Sequence, residues 1–416
     1  MYNIKLEEYV PTPKPATSDR IVAAHYYAAW KKGAAGLHNG FDDLHEYPER
    51  TPLMGYYDEE NPAVSDWEIK WALEHGINCF IYCWYRKLEN MGKPVTVNDL
   101  RCPHGIHEAL FNAKYGKMMK FAIMYENSDK WGTTDSGDII KHLMPFWMEN
   151  YFKKENYLII DNKPVLFVFC QRRLSKVWPN PNDQKLAFDA CREYAKKEGF
   201  DGMTFAVCDT STSKNTADEM SDRGYDFRFG YSSGYNPRRN IPKEMTAEEY
   251  EEHFGFTSGY NPKKNMPDED YIIEQQCEIL KKRLELAPMK QPATASCFLD
   301  PTPRTTAHWI NMGYDFHDYL VWYLSPDKFR ILLRRMKEMT DVLPDGAWGK
   351  KIFMIDNWNE WDEGHYVAPS HEFGFRYLQA IREEFTKRDN LPDYRTPQDM
   401  GLANYNTSWE EPDFSK

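Results

Sequence analysis

The sequence lacks any long apolar run. A transmembrane helix needs roughly 20 consecutive apolar residues, and no hydrophobic stretch in this chain of 416 residues approaches that length. Residues 1–20 also lack the basic segment followed by an apolar core that marks a signal peptide. The pattern excludes a membrane-spanning class and leaves the location open. We expect either the cytoplasm or, where a leader has been removed, the periplasm or cell surface.

The cysteines give no sign of a disulfide framework or a zinc site. The chain has 8 cysteines, and they do not follow the paired spacing that zinc ligands adopt. Cys79 and Cys83 stand in one predicted strand, while Cys170, Cys208 and Cys297 lie inside other apolar runs. We therefore expect buried, reduced thiols.

Features that bind phosphate are also missing. Lys and Arg number 52 against 64 Asp and Glu, which gives a net charge of −12. A nucleic-acid partner needs a basic surface, and the richest basic stretch, 281–283, lies among glutamates. No glycine-rich phosphate loop follows the first predicted strand. The charge balance therefore excludes nucleic acid and favours a neutral substrate.

Aromatic residues, by contrast, are abundant. They make up 15% of the chain, with 13 Trp and 27 Tyr. Most of them are expected to fill a large core. Their flat faces also suit a cleft that stacks against sugar rings, because a ring offers apolar area with a polar edge.

Eight short apolar runs recur along the chain. Most are continuously apolar, which is typical of parallel strands buried on both faces, and helix-like stretches such as 66–76, 184–199 and 325–339 separate them. This alternation predicts an α/β fold, a single (β/α)₈ TIM barrel with long βα loops; an open doubly wound sheet is the alternative. The runs are 21–30, 77–86, 120–127, 164–171, 202–210, 225–233, 293–301 and 351–361.

The predicted barrel, residues 21–385, is one catalytic domain. Residues 1–20 form an N-terminal extension, and the polar, proline-bearing residues 386–416 form a tail packed on the barrel. An internal repeat reads FGYSSGYNPRRNIP and returns 25 residues later as FGFTSGYNPKKNMP, which predicts a duplicated loop insertion at 229–267. The two copies would either grip a substrate over the barrel mouth or pack on each other.

The carboxyl ends of the strands are where this fold builds its active sites. Nearly every predicted strand here ends in an aromatic or ionisable residue. Because neighbouring strand residues face opposite sides, only one of Tyr26 and Tyr27 can point into the barrel. Trp84 would equally serve as core, Asn127 as a helix cap and Asp209 as a turn residue. The predicted substrate contacts on these strands are Tyr26, Tyr27, Trp30, Trp84, Tyr125, Asn127, Asp209, Tyr231 and Asp300.

The last run ends in the densest cluster of acids. Glu360, Asp362 and Glu363 lie within four residues, between and beside Trp358 and Trp361. Carboxylates three residues apart project to the same side of a helical turn, and a protonated and an ionised carboxyl together are what glycoside hydrolysis requires. Mutual repulsion and tryptophan contact should raise one pKa and leave the other low. We predict Glu360 and Glu363 as the catalytic pair.

The same cluster has other interpretations. Acids at strand ends also cap helices or pair with arginines, and Glu360, Asp362, Glu363 and His365 could bind a hard cation. No HExxH-like spacing supports a metal, so we expect neither metal nor cofactor. The residues that flank the acids and are expected to line the cleft are Trp358, Asn359, Trp361, His365 and Tyr366.

The segment NEWDEGHYVAP, residues 359–369, resembles the signature of the WbsX-like, glycoside hydrolase family 99-like proteins. The segments IVAAHYYAAW, FIYCWYR, FAIMYEN and DNKPVLFVF fit the same group, so the resemblance spans about residues 20–385. It implies a (β/α)₈ barrel and an activity similar to that of the family 99 endo-α-mannosidases. Some members are regarded as glycosyltransferases because they occur in polysaccharide gene clusters.

The resemblance also implies roles for the two glutamates. Glu360 would be the base that deprotonates the sugar's own 2-hydroxyl, which gives an anhydro-sugar intermediate and overall retention. Glu363 would protonate the leaving oxygen and later activate water. Two departures stand out: Asp362 replaces a residue that is usually small, and FLDPTPR (298–304) replaces a Trp-Asp-Asn-Thr-Pro-Arg segment. Asp300 and Arg304 of that segment are kept, so Arg304 is a further expected substrate contact.

The sequence thus predicts a hydrolase that cleaves a glycosidic bond in an oligosaccharide or polysaccharide by a retaining mechanism. One alternative is a glycosyltransferase of polysaccharide biosynthesis, which should need a diphosphate site that the sequence does not display. Another is a non-catalytic carbohydrate-binding barrel. The sugar, the linkage, endo or exo action and the oligomeric state stay open.

Overall fold

A sheet of eight parallel strands forms the centre of the molecule. The computed structural model describes residues 10–33, 40–127, 132–231, 268–305 and 321–401. The strands follow one another in chain order around a nearly closed barrel, which confirms the predicted fold. They are β1 Ile21–Tyr26, β2 Cys79–Arg86, β3 Lys120–Tyr125, β4 Lys163–Val168, β5 Thr204–Cys208, β6 Phe227–Phe229, β7 Thr294–Ser296 and β8 Ile352–Asp356.

The ring closes through the last strand. β8 lies between β1 and β7, and its pairing with β1 runs from Ile21 opposite Ile352 to Ala24 opposite Ile355. The hydrogen-bonded path begins at β6 and ends at β7. Beside these two strands the backbone N–H of Gly230 donates to Thr294 Oγ1 at 3.0 Å. All eight carboxyl ends therefore meet at one mouth.

Helices surround the sheet. Several begin with proline after a polar residue, as Pro62 does after Asn61, whose side chain accepts from the N–H of Ala63 at 3.0 Å; proline suits this position because the first helical N–H has no partner. The helical segments are Pro62–Glu74, Gly105–Leu110, Ser136–Asp138, Ile139–Leu143, Met144–Trp147, Met148–Phe152, Gln171–Val177, Pro181–Lys197, Lys214–Asp222, Glu269–Leu286, Pro326–Asp341, Trp348–Lys351 and Arg376–Phe385.

The core around the strands is largely apolar and rich in aromatic side chains. All eight residues of β2 are buried, as expected of a strand covered on both faces. The eight cysteines carry free thiols; five of them are buried, whereas Cys102, Cys170 and Cys208 are half-buried. Among the residues that the structure describes, no helix has both the length and the apolar character needed to cross a membrane.

Segments from both ends of the chain lie on the first helix, Pro62–Glu74. The buried Lys70 donates to the carbonyl of Asp393 at 2.8 Å, and the N–H of Asp393 donates to Glu74 Oε2 at 2.7 Å. The N–H of Lys14 donates to Glu74 Oε1 at 3.1 Å. From residue 232 onward, the predicted duplicated loop lies outside the described residues.

Candidate active site

A tight hairpin after β8 carries the three clustered acids. Asn359–Glu360 pairs antiparallel with His365–Tyr366, and a single 3₁₀ turn, Trp361–Glu363, joins them. Gly364 ends the turn at φ +65°, and a Cβ there would lie 2.7 Å from the backbone nitrogen of Asp300. Only glycine fits this conformation without strain. The Asp300 N–H donates to the carbonyl of Glu363 at 2.8 Å, which fastens the hairpin to the segment after β7.

One arginine contacts all three acids. Arg304, in the 3₁₀ turn Thr302–Thr305 that follows β7, donates from Nε to Asp362 Oδ2 at 2.9 Å and from Nη2 to Asp362 Oδ1 at 3.2 Å. Nη2 also lies 3.4 Å from Glu360 Oε1, and Nη1 donates to Glu363 Oε1. A planar guanidinium suits such multiple carboxylate contacts, so one buried cation offsets part of the charge of three acids.

Glu360 is the more deeply buried residue of the proposed catalytic pair, with a side chain that is 6% exposed. Its Oε2 accepts hydrogen bonds from the Tyr231 hydroxyl and from the Asn357 amide. Burial raises the pKa of Glu360 to about 7, because the charged form loses its hydration. Arg304 and Tyr231 act against this rise, while nearby negative charges add to it. The carboxyl is therefore protonated in a large fraction of molecules near neutral pH.

Glu363 occupies a different environment. Its side chain is 22% exposed, and it is paired with Arg304. Its Oε2 lies 3.7 Å from Nδ1 of the buried His365. A neighbouring cation stabilises the ionised form of a carboxyl group. The two glutamates therefore differ in burial and in charge partner, although they come from one turn.

The two carboxyl groups are close together. One oxygen of Glu360, one oxygen of Glu363 and a ring nitrogen of His365 all lie within 4.8 Å of one another. Three such ligands could hold a metal ion, but acidic groups often cluster without one. Because Arg304 already contacts both carboxylates, the geometry favours a guanidinium rather than a metal as their counter-ion.

A second buried group of polar residues lies beneath the acids. Asp356, the last residue of β8, accepts from Ser296 Oγ at 2.7 Å and lies 3.5 Å from His25 Nδ1. Burial tends to raise the pKa of Asp356, but His365, His25 and Ser296 outweigh it and lower that pKa. Burial lowers the pKa of His365. An ionised Asp356 therefore adds negative charge below Glu360.

Several predicted substrate contacts are brought to the acids. Tyr231 and Arg304 touch Glu360 directly, and His365 lies beside Glu363. Tyr27 is buried near Arg304, which opposes the effect of burial; burial raises the pKa of the Tyr27 phenol well above its ordinary value. Four of the predicted contacts thus surround the acidic pair.

Two predicted contacts point into the helix layer instead. The Tyr26 hydroxyl donates to Glu68 Oε2 at 2.7 Å, and Trp358 Nε1 donates to Glu68 Oε1 at 3.0 Å. Alternation along the strand has sent Tyr26 outward and left Tyr27 near the mouth. Glu68 belongs to the helix Pro62–Glu74.

Other predicted contacts pack among aromatic rings. Trp84 lies 5.5 Å from Trp147 between ring centroids and donates to the Tyr151 hydroxyl at 3.0 Å. Tyr125 lies 5.3 Å from Trp147. Trp30 packs 4.6 Å from Phe41 and is fully buried. All three side chains are therefore part of the packed core, as the alternative prediction for Trp84 had it.

Two of the remaining contacts pair with arginines. Asp209 accepts from Arg228 Nε at 2.7 Å and from the N–H of Ser211 at 3.0 Å, as a turn residue does. Asp300 pairs with Arg50, which also donates to the carbonyl of Asp300 at 2.8 Å.

The remaining predicted contacts bond to or pack against neighbouring segments of the chain. Asn127 exchanges two hydrogen bonds with the backbone of Cys170, at 2.9 and 2.8 Å. Trp361 donates to the Tyr57 hydroxyl at 3.2 Å, and its ring lies 4.4 Å from that of Tyr366. Asn359 holds the end of β1, since its Oδ1 accepts from the N–H of Tyr27 at 2.8 Å.

Sequence reasoning missed three acids of this region, Glu59, Glu68 and Asp356. Glu59 and Glu68 lie in the first βα connection and its helix, far along the chain from the hairpin that they contact. No local pattern distinguishes them from solvated acids. Asp356 did have a signal, because it ends an apolar run next to Asn357.

Comparison with known proteins gives a family match and several similar folds. The family model described as Glycosyltransferase WbsX matches residues 110–381, and no curated protein sequence matches the chain. A GH99 endo-alpha-mannosidase from Bacteroides thetaiotaomicron, solved with bis-tris propane, is similar with a TM-score of 0.53 and 13% identity over 88% of this chain and 96% of that chain. A structure described as a glycoside hydrolase-like protein has a TM-score of 0.54 and 14% identity over 91% of this chain and 98% of that chain. At these identities the likeness establishes the fold.

Proposed function

Since the chain belongs to the glycosyltransferase WbsX family, we propose that it is a glycoside hydrolase that cleaves a glycosidic bond in an oligosaccharide or polysaccharide. The observation that carries the proposal is the pair Glu360 and Glu363. Two carboxyl groups lie close together at the carboxyl ends of the barrel strands, in environments that favour opposite protonation states. This is the arrangement that acid–base cleavage of a glycosidic bond requires.

The spacing of the pair supports retention. In retaining enzymes the carboxyl groups stand about 5–5.5 Å apart, whereas inverting enzymes need about 6.5–9.5 Å to admit a water molecule. Oxygens of Glu360 and Glu363 lie within 4.8 Å of each other. This limit, which applies to one oxygen of each group, is nearer to the spacing of retaining enzymes than to that of inverting ones, so we propose two steps with net retention.

The environments also support an assignment of roles. Glu360, with its pKa raised to about 7 by burial, would donate a proton to the leaving oxygen near neutral pH. Glu363, held as a carboxylate by Arg304, would take the proton of the sugar's own 2-hydroxyl as that oxygen attacks the anomeric carbon and the bond to the leaving oxygen breaks. Water would then open the anhydro-sugar at the anomeric carbon: Glu360 takes the proton of the water, and Glu363 returns its proton to the 2-oxygen. This order is the reverse of the one that the resemblance implies, and the pH dependence of single variants distinguishes the two.

A transferase is the second candidate, because the matching family is described as a glycosyltransferase. The same carboxyl pair would serve it, with a sugar hydroxyl in place of water as the acceptor. The two candidates differ in the product. A hydrolase makes a new reducing end in water alone, whereas a transferase gives product only when an acceptor sugar is present.

The test is a panel of α- and β-linked oligosaccharides and polysaccharides. It includes α-mannan, because a similar structure is an endo-alpha-mannosidase. Release of reducing ends is measured for the wild type, for Glu363→Gln and for Glu338→Gln, a matched change of an exposed glutamate on the helix Pro326–Asp341. We expect cleavage by the wild type and Glu338→Gln, and a loss of about 10³-fold or more in Glu363→Gln. Full activity of Glu363→Gln on a cleaved glycan contradicts the assignment.

A further inference from the structure

A buried carboxylate joins three segments behind the acidic hairpin. Glu59 Oε1 accepts from Asn359 Nδ2 at 3.2 Å, and Oε2 accepts from the backbone N–H of Trp30 at 3.2 Å. His104 Nε2 lies 3.2 Å from the same Oε2. Trp30 and Glu59 belong to the connection after β1, and His104 belongs to the connection after β2. Asn359 directly precedes Glu360, so this junction touches the catalytic turn.

Asn359 is held at both ends of its amide. Nδ2 donates to Glu59, and Oδ1 accepts from the N–H of Tyr27 at 2.8 Å. Glu59 and Asn359 are both fully buried. Removing a partner from such a contact leaves a buried polar group unsatisfied, which is costly. The orientation of Asn359 is therefore fixed by two points of the connection after β1, the N–H of Tyr27 and the carboxylate of Glu59.

The loop after β2 packs closely against Ala28, in the connection after β1. A Cβ at Gly105 would lie 2.9 Å from Ala28 Cβ and 3.8 Å from Glu59 Cδ. Because glycine has no Cβ, the backbone that follows His104 can pack against the connection after β1. The packing at Gly105 thus holds His104, which is distant in sequence from the acids, beside Glu59.

We propose that Glu59 is a positioning residue, which sets the direction of the Glu360 carboxyl through Asn359. With Asn359 fixed, the short strand Asn359–Glu360 has one register against His365–Tyr366, and the Glu360 side chain is aimed at Tyr231 and Arg304. The consequence for catalysis rests on the proposed function. The positional claim concerns the hairpin alone and can be measured without substrate.

A swap of donor and acceptor tests the contact. Glu59→Gln alone loses an acceptor, and Asn359→Asp alone sets two carboxylates against each other. The double variant Glu59→Gln/Asn359→Asp restores every contact: the new amide donates to the new carboxylate, its carbonyl oxygen accepts from Trp30, and Tyr27 still donates to position 359. We expect each single change to lower kcat about 10- to 100-fold with a smaller effect on KM, since small displacements of a catalytic group are that costly. The double variant should recover to within about threefold of the wild type.

Glu68→Gln is the matched control. It alters another buried glutamate of the same connection, which contacts Trp358 and Tyr26. Because glutamine has nearly the same shape as glutamate, Glu68→Gln should leave kcat within about threefold of the wild-type value. If the single changes at Glu59 and Asn359 behave as this control does, or if the double variant is no better than the worse single one, the proposal is overturned.

A second readout separates this inference from the proposed function. In protein labelled with ¹³C-glutamate, the carboxyl signal of Glu360 is assigned by its loss in Glu360→Gln and titrated with pH. We expect Glu59→Gln and Asn359→Asp to move its midpoint in opposite directions by about half a pH unit or more, because one removes and the other adds a carboxylate near Glu360, and the double variant to lie between them. An unchanged midpoint in all variants overturns the positioning role, whether or not a glycan is cleaved. If Asn359→Asp does not fold, recovery of folding in the double variant supports the contact, and Glu59→Gln supplies the titration.

Discussion

The guanidinium of Arg304 makes a bidentate contact with the carboxylate of Asp362, with Nε donating to Oδ2 at 2.9 Å and Nη2 donating to Oδ1 at 3.2 Å. Such a two-point contact fixes the plane of the guanidinium. That plane is what lets the same group reach Glu360 and Glu363. Asp362, the residue that departs from the family signature, therefore acts as an anchor for the cation between the proposed catalytic acids.

Asp362→Asn should lower the pKa of Glu360. The negative charge of Asp362 raises that pKa, and the exchange for an amide removes this charge while it keeps an oxygen that accepts from Arg304. Because protonated Glu360 is the proposed proton donor, activity is lost as pH rises through its pKa of about 7. We expect the alkaline limb of kcat/KM to move to lower pH. A limb that stays in place or moves upward contradicts this role of Glu360.

Tyr231→Phe should move the same limb the opposite way. The Tyr231 hydroxyl donates to Glu360 and thereby lowers the pKa of that carboxyl, which burial otherwise raises. Without the hydroxyl the pKa rises, so protonated Glu360 persists to higher pH. The measurement is again the pH profile of kcat/KM. General damage to the site would lower both profiles without displacing them in opposite directions.

Glu68→Gln should change how stability depends on pH. Burial raises the pKa of Glu68 to about 8, although hydrogen bonds from Tyr26 and Trp358 oppose the rise. The folded protein then holds a proton that the unfolded chain releases above its ordinary pKa near 4.5. This group contributes most to stability below that value, and the contribution is lost as pH rises to about 8.

Urea unfolding at about pH 5 and at about pH 8 measures the effect. We expect the free energy of unfolding of Glu68→Gln minus that of the wild type to be larger at the higher pH, which means that the variant is relatively more stable there. An equal difference at both pH values would mean that Glu68 does not hold a proton in the folded protein.

Gly364→Ala should destabilise the hairpin more than Gly374→Ala destabilises its own turn. Both glycines have positive φ, at +65° and +55°. A Cβ at Gly364 would meet the backbone of Asp300 at 2.7 and 3.0 Å, whereas a Cβ at Gly374 meets nothing within 4 Å. We expect an additional loss of roughly 1–3 kcal/mol in the free energy of unfolding at Gly364. Equal losses would show that the hairpin is free to shift away from Asp300.

The barrel could be predicted from the sequence because its strands are buried on both faces. Runs such as 77–86 and 120–127 are continuously apolar, and the actual strands Cys79–Arg86 and Lys120–Tyr125 lie within them. Helices that begin with proline, such as Pro326–Asp341, could also be predicted from the sequence. The order of such elements along the chain then determines their order around the sheet.

The partners of the polar residues could not be predicted in this way. Asp300 pairs with Arg50, and Glu360 bonds to Tyr231, across long stretches of chain. Position at a strand end is a local property, but the direction of a side chain depends on what packs against it. Trp84 therefore looked like a sugar platform and lies in an aromatic core instead.

The most direct test of the account is hydrolysis in water enriched in ¹⁸O. A cleaved glycan is incubated with the wild type, Glu360→Gln, Glu363→Gln and the exposed control Glu338→Gln, and the product is reduced at once to prevent later exchange. We expect one ¹⁸O atom at each new reducing end with the wild type and the control, and almost none with either of the other variants. Product that carries no ¹⁸O and is joined to an acceptor sugar, or labelling that survives both substitutions, contradicts hydrolysis by this pair.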